Sequence, residues 1–269
     1  GYDALNNNTG DTNTAFGFRS LQNNTGDNNI AFNSSGQNNT GNYNLFFGGG
    51  DNNSGNYNVA LGNNFYRPLH ANSGNENLTF GSRNLQNNSG NYNIALGPGN
   101  LEYNGSGNSN LALGYRAGRG SYTTPLFTGS ANTFIGYLAG YGNAGNGSNL
   151  ANATAIGANA TVEQSYAIVL GQVNWYHTKV GIGTTTPSTR LHIVGNTTTN
   201  AQSSLLVEDS GGTELFKVRN DGTVTINDIL TIPGQHPLPS SPSAGTFAVS
   251  SSTPPKPYFY DGTSWNSLY

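Results

Sequence analysis

The chain has 269 residues, a formal net charge of −3 and only 9% charged residues, with neither cysteine nor methionine. Disulfides, thiolate metal sites and cysteine nucleophiles are thereby excluded, and three lysines with seven scattered arginines offer no cationic surface to a nucleic acid. No apolar run approaches the roughly 18 residues of a membrane span and no signal peptide is visible, so no membrane insertion is expected.

Asparagine takes the place of charge: 43 residues, 31 of them in the first 110. They fall in a repeat of the form [ST]-G-x-x-N-h-A-h-G, where h is apolar. It is plain in Thr25-Gly26-Asp27-Asn28-Asn29-Ile30-Ala31-Phe32 and Ser89-Gly90-Asn91-Tyr92-Asn93-Ile94-Ala95-Leu96-Gly97. The repeat glycines Gly10, Gly26, Gly41, Gly55, Gly74, Gly90 and Gly107 lie 14 to 19 residues apart, and looser copies end at Gly136, Gly157 and Gly171. In each copy the apolar residues stand at i and i+2, the strand period, so Ile94 and Leu96 point one way and Ala95 the other. The segments are too short for helices, and Gly, Asn and Ser around them form turns.

The strand-closing glycines Gly17, Gly48, Gly62, Gly81, Gly97 and Gly114 suit a turn with positive φ. The second half of the unit, as in Phe18-Arg19-Ser20-Leu21 or Ser82-Arg83-Asn84-Leu85, predicts a second short strand or turn ending on an inward leucine. One unit is then a coil of a β-solenoid or β-roll, stable only when stacked on its neighbours. The asparagine that opens each strand (Asn13, Asn29, Asn44, Asn58, Asn77, Asn93, Asn110) is expected to align with its equivalents and hydrogen-bond the turns. A disordered Asn-rich tract is the alternative, set aside because such tracts do not hold an apolar triplet and a glycine in phase.

Beyond residue 171 the texture changes. A turn-rich connector and strand are expected over 172–196, a β-hairpin trimerisation module over 197–232 with a Gly-Gly turn at Gly211-Gly212, a proline-rich linker over 233–244 and a last hairpin over 245–269. No segment has helical periodicity, so the fold class is all-β: solenoid repeats over 1–171 followed by small hairpin modules.

The N-h-A-h-G units, most closely Asn152-Ala153-Thr154-Ala155-Ile156-Gly157, resemble the head repeats of trimeric autotransporter adhesins. Val180-Gly181-Ile182-Gly183-Thr184-Thr185-Thr186-Pro187 running to Leu191-His192-Ile193, and the ending Tyr258-Phe259-Tyr260-Asp261-Gly262-Thr263-Ser264-Trp265, resemble elements of phage tail fibres. The resemblance implies a fibrous, extracellular homotrimer on a cell surface or a virion tail. Its partners would be itself and a host-surface glycan or protein receptor. Gly1-Tyr2-Asp3-Ala4-Leu5 matches Gly17-Phe18-Arg19-Ser20-Leu21, so an array cut at Gly1 is expected, and with it head-to-tail filament growth as an alternative.

Chemical motifs are sparse. His70, His177, His192 and His236 are far apart; in a trimer one of them near the three-fold axis could meet its copies and hold a metal, His192 before the others, although an ordinary strand histidine is the preferred reading. Gly48-Gly49-Gly50-Asp51-Asn52-Asn53 is similar to a calcium roll turn but lacks the recurrent Asp. Of the 13 acidic residues only Asp11 and Asp27 share a column, and Glu208 with Asp209 reads as a solvated turn rather than a sugar-cleaving pair. A non-enzymatic protein without cofactor is therefore expected, a glycan-depolymerising fibre being the remaining alternative. The sequons at Asn7, Asn23, Asn38, Asn87 and Asn152 read as repeat chemistry. Tyr43, Tyr57 and Tyr92 occupy one repeat position, just before the recurrent Asn. This ladder either stacks on sugar rings or, as preferred, packs between coils or protomers.

Overall fold

The computed structural model describes residues 1–62, 68–120, 128–140, 149–172, 178–199, 202–226, 244, 247–249 and 256–268. It is all-β and divides into two compact units, Gly1–Val180 and Gly181–Tyr269. His177, His236 and the proline-rich segment 233–242 lie outside the described residues.

The first unit is a β-solenoid. It contributes one strand per coil: β1 Thr14–Phe16, β2 Ile30–Phe32, β3 Leu45–Phe47, β4 Val59–Leu61, β5 Leu78–Phe80, β6 Ile94–Leu96, β7 Leu111–Leu113, β8 Thr133–Ile135, β9 Thr154–Ile156 and β10 Ile168–Leu170. They form a single ten-stranded parallel sheet in sequence order. Register is column-perfect, with Ala31 opposite Phe46, then Ala60, Thr79, Ala95 and Ala112. The middle residue of each strand faces inward, and the two flanking residues, mostly apolar, face out.

The second half of the coil is not a strand. Left-handed residues recur at alternate positions there, as at Arg19, Leu21 and Asn23 or Arg83, Leu85 and Asn87. Each such non-glycine residue costs about 1–2 kcal/mol in isolation. Hydrogen bonds between coils offset it, because alternation turns successive N–H groups to opposite neighbours. Arg19 N–H donates back to the Tyr2 carbonyl (2.9 Å), while Leu21 N–H donates forward to Ser35 (3.0 Å). The leucines of this run, Leu21, Leu69, Leu85 and Leu101, are fully buried.

The core between sheet and leucine column is thin and its volume is conserved from coil to coil. Where the inward strand residue is Phe46 instead of Ala, the leucine positions around it are Gly36 and Gly50. A Cβ at Gly50 would lie 2.2 Å from the Phe46 ring, and one at Gly36 2.7 Å from it. The same exchange recurs at Phe134 with Gly118 and Gly140. Thr79, whose hydroxyl donates to the Val59 carbonyl (3.4 Å), divides the core into two apolar clusters.

Most strand-closing glycines do adopt positive φ, Gly97 at 116° among them, but Gly62 does not. There the demand is space, since a Cβ would sit 2.8 Å from Pro68 and 2.9 Å from the Gly81 carbonyl. Space likewise selects the glycine of the [ST]-G pair: a Cβ on Gly55 would fall 1.8 Å from the Gly74 carbonyl oxygen of the next coil.

The second unit consists of small sheets. β11 Val180–Ile182, straddling the unit boundary, pairs with β12 Leu191–Ile193. β13 Ser203–Glu208, β14 Glu214–Arg219 and β15 Val224–Ile226 form an antiparallel meander, and β16 Phe247–Val249, β17 Pro257–Tyr260 and β18 Trp265–Ser267 form another. Trp265 belongs to a third strand of that last sheet, pairing with Tyr260 across it.

Candidate functional site

Several asparagine columns line the solenoid; in one, Asn42, Asn56, Asn75, Asn91 and Asn108 each accept a backbone N–H of the preceding coil at 2.7–2.8 Å. In the strand-opening column, Asn58 Oδ1 accepts the Asn77 N–H (2.9 Å) while Asn58 Nδ2 donates to the Gly74 carbonyl (2.9 Å); the bonds recur from Asn13 to Asn132. A second buried column, Asn8, Asn24, Asn39, Asn53, Asn72, Asn88 and Asn104, precedes the [ST]-G pair. Each amide of it donates to the previous asparagine at 2.6–2.8 Å and to the glycine carbonyl of its own turn. This column escaped the sequence reading because the frame was opened one residue too late; the recurrent Asn-Thr-Gly and Asn-Ser-Gly triplets carry it. The sequon asparagines Asn7, Asn23 and Asn38 form a further, exposed ladder with Asn52 at 2.9–3.0 Å. Amides suit these columns because each supplies a donor and an acceptor, whereas stacked carboxylates would repel.

Tyr43 and Tyr57 stack with ring centroids 4.9 Å apart and planes 1° from parallel. Their rings therefore face each other along the array and show edges and hydroxyls to solvent. Glu76 occupies the intervening coil, so Tyr92 stands apart from the pair. Other aromatic pairs stack the same way, Phe32 on Phe47 at 4.3 Å and Tyr115 on Tyr137 at 5.4 Å.

Most of the remaining sequence-derived candidates are engaged by the chain itself. Asp51 accepts the Gln37 N–H (2.8 Å) and is buried. His192 Nδ1 accepts the Ser188 N–H (3.3 Å), and His70 Nδ1 is buried without a hydrogen-bond partner among the described residues. Asp209 takes the N–H groups of Gly211 (2.8 Å) and Thr213 (2.9 Å), which hold its carboxyl below the usual value. Among the described residues no three His, Asp or Glu side chains come together.

The largest unsatisfied surfaces are apolar. None of the outward positions of β1–β10 is buried, and Phe16, Phe80 and Ile168 are 70, 60 and 72% exposed. Ten large apolar side chains there are exposed, and at roughly 200 Å² of full surface each they leave on the order of 1,000 Å² open. Monomers rarely show a contiguous apolar patch beyond a few hundred Å².

The second unit has scarcely any core: Ala248 is its one buried side chain among the described residues. Cross-strand pairing puts Leu205, Val207, Phe216, Val218, Val224 and Ile226 on one face of the β13–β15 sheet, and none of them is buried. No helix among the described residues is long and apolar enough to cross a membrane. No protein-family model, curated protein or solved structure matches the chain.

Proposed function

We propose that the protein is a non-enzymatic extracellular fibre protein that assembles as a homotrimer through its apolar sheet faces and attaches to a cell surface, as a phage tail fibre or a bacterial adhesin does. The observation that carries this reading is the all-apolar, uncovered face of the β13–β15 sheet. A three-stranded sheet needs something packed on such a face to be stable. The outward face of the solenoid asks for the same cover over a length of ten strands. Copies of the same chain meet both demands, since closed symmetry brings identical faces together around an axis. The exposed turn faces of the solenoid then remain for a receptor.

Native mass measurement tests the assembly. The expected species has three times the 28.2 kDa of one chain; a stable single chain overturns the trimer, and an open-ended ladder of masses means a filament instead. Binding to whole cells and a saccharide hydrolysis assay test attachment without turnover.

A further inference from the structure

On the turn face, coils 14–19 residues apart place Ser82, Pro98 and Tyr115 in one column and Arg83, Gly99 and Arg116 in the next, as the Gly99-to-Ser82 and Arg116-to-Pro98 backbone bonds show. Because the middle coil has glycine where its neighbours have arginine, a cleft of about 240 Å³ opens between them, with Glu102 at its floor. A Cβ on Gly99 would already approach Arg116 Cγ to 3.0 Å, so the glycine is what keeps the gap clear. Cationic side chains concentrate here: Arg83, Arg116 and Arg119 are three of the six lysines and arginines in Gly1–Val180. The buried Glu102 carboxylate is neutralised by Arg119 at 2.7 Å, which leaves the cleft a net positive charge. Arg116 lies over the Tyr115 ring at 5.0 Å, and no carboxylate pairs with it among the described residues.

We infer that this cleft binds an acidic saccharide unit, a sugar ring bearing a carboxylate. A guanidinium braced on a tyrosine face presents its N–H fork to a planar carboxylate in the two-point geometry that arginine favours. The cleft volume fits one pyranose, and the Tyr115 ring, Pro98 and Ser82 supply the mixed apolar and hydroxyl walls that sugars use. This inference deepens the attachment reading and rests on it for its biological sense, but its chemistry can be tested alone.

The intact protein is titrated by calorimetry with a sialic acid oligomer, a hyaluronan oligosaccharide and a neutral maltooligosaccharide. At least one acidic oligomer is expected to bind, with the neutral one at least about tenfold weaker, and Arg116→Ala to weaken acidic binding about tenfold or more. Arg116→Lys, which keeps the charge and loses the fork, should fall between. The control is Arg19→Ala: Arg19 sits in the same column and stacks on Phe18 at 4.8 Å, but pairs with Asp3 and lines no cleft with the residues above. Its binding should equal that of the parent, and assembly mass and circular dichroism of every variant should be unchanged. Equal affinity for neutral and acidic oligomers, or full binding by Arg116→Ala, overturns the inference. A protein that adheres to cells yet takes up no acidic oligomer also overturns it while leaving attachment standing; one that does neither overturns both.

Discussion

At the scale of single residues the solenoid is ruled by columns, and the cost of a substitution depends on what stands above and below it. Phe46→Ala removes a fully buried ring and is expected to destabilise the first unit by about 3–5 kcal/mol. Gly36→Leu and Gly50→Leu should each destabilise the parent by about 1–3 kcal/mol through overpacking against that ring. Combined with Phe46→Ala, however, the same two leucines rebuild the arrangement found around Ala95, which lies between Leu85 and Leu101, so the triple variant should regain at least half of the loss. Thermal or denaturant unfolding at one protein concentration reads the difference; additive penalties would mean that the ring and the glycines are not coupled. The amide columns obey the same logic. Asn58→Ala strands the buried Asn77 N–H and removes one of the two amide donors to the Gly74 carbonyl, Asn72 being the other, and is expected to cost about 1–3 kcal/mol. Asn13→Ala, at a half-buried end of the column, should cost less. The strand-opening asparagines were legible as a repeat because they keep a fixed distance to the strand. The Phe–Gly exchange was not, since Gly50 and Gly140 meet their ring only once the coil closes, and Gly36 and Gly118 only once the coils stack.

At the scale of elements, strand and left-handed turn share a signature. Although Ser20 and Leu21 are both fully buried in the fold, the short run Arg19-Ser20-Leu21 reads in sequence equally well as either, and its pattern alone cannot separate them. Only the hydrogen bonds do: a true strand in this array pairs in register on both sides, whereas the turn run sends its N–H groups alternately backward and forward. The hairpins of the second unit were easier, because Asp with Gly one to three residues on is a turn signal with a mechanism. Asp209, Asp221 and Asp261 each cap a turn by accepting backbone N–H bonds, from Thr213 and Gly211, from Thr223, and from Ser264 and Thr263 respectively. Those bonds hold each carboxyl below its ordinary value. A carboxyl more acidic when folded stabilises the hairpin above its unfolded pKa and loses that contribution as pH falls through the folded one. The hairpin amides of the second unit should therefore lose their turn-specific shifts below the ordinary carboxylate value of 3.8. Asp209→Asn keeps an acceptor for Gly211 and Thr213 and should remove its own share of that pH dependence, as amide NMR across an acid titration would show.

At the scale of the molecule, the two units differ in where their stability comes from. The solenoid carries its own core, thin and in two apolar clusters that together run over many coils. Among the described residues the second unit buries only Ala248, so under the proposed assembly its folding and its association are one event. For such a unit the unfolding temperature depends on chain concentration, because dilution favours the separated and unfolded form by mass action. Circular dichroism or calorimetry at concentrations spanning about a hundredfold should then show an unfolding transition that moves upward with concentration, alongside a solenoid transition that moves less. Val218→Asp places a charge in the centre of the apolar β13–β15 face, opposite Leu205 and Val224. It should abolish the concentration-dependent transition and lower the native mass, since a desolvated carboxylate at a subunit contact has no partner there. Lys217→Asp, one residue away and on the opposite face, should leave the assembly intact; its loss would place the contact on the wrong side of the sheet. If instead the second unit melts at one temperature at every concentration, it draws its stability from within a single chain, and the faces left bare by β13–β15 serve something other than copies of itself.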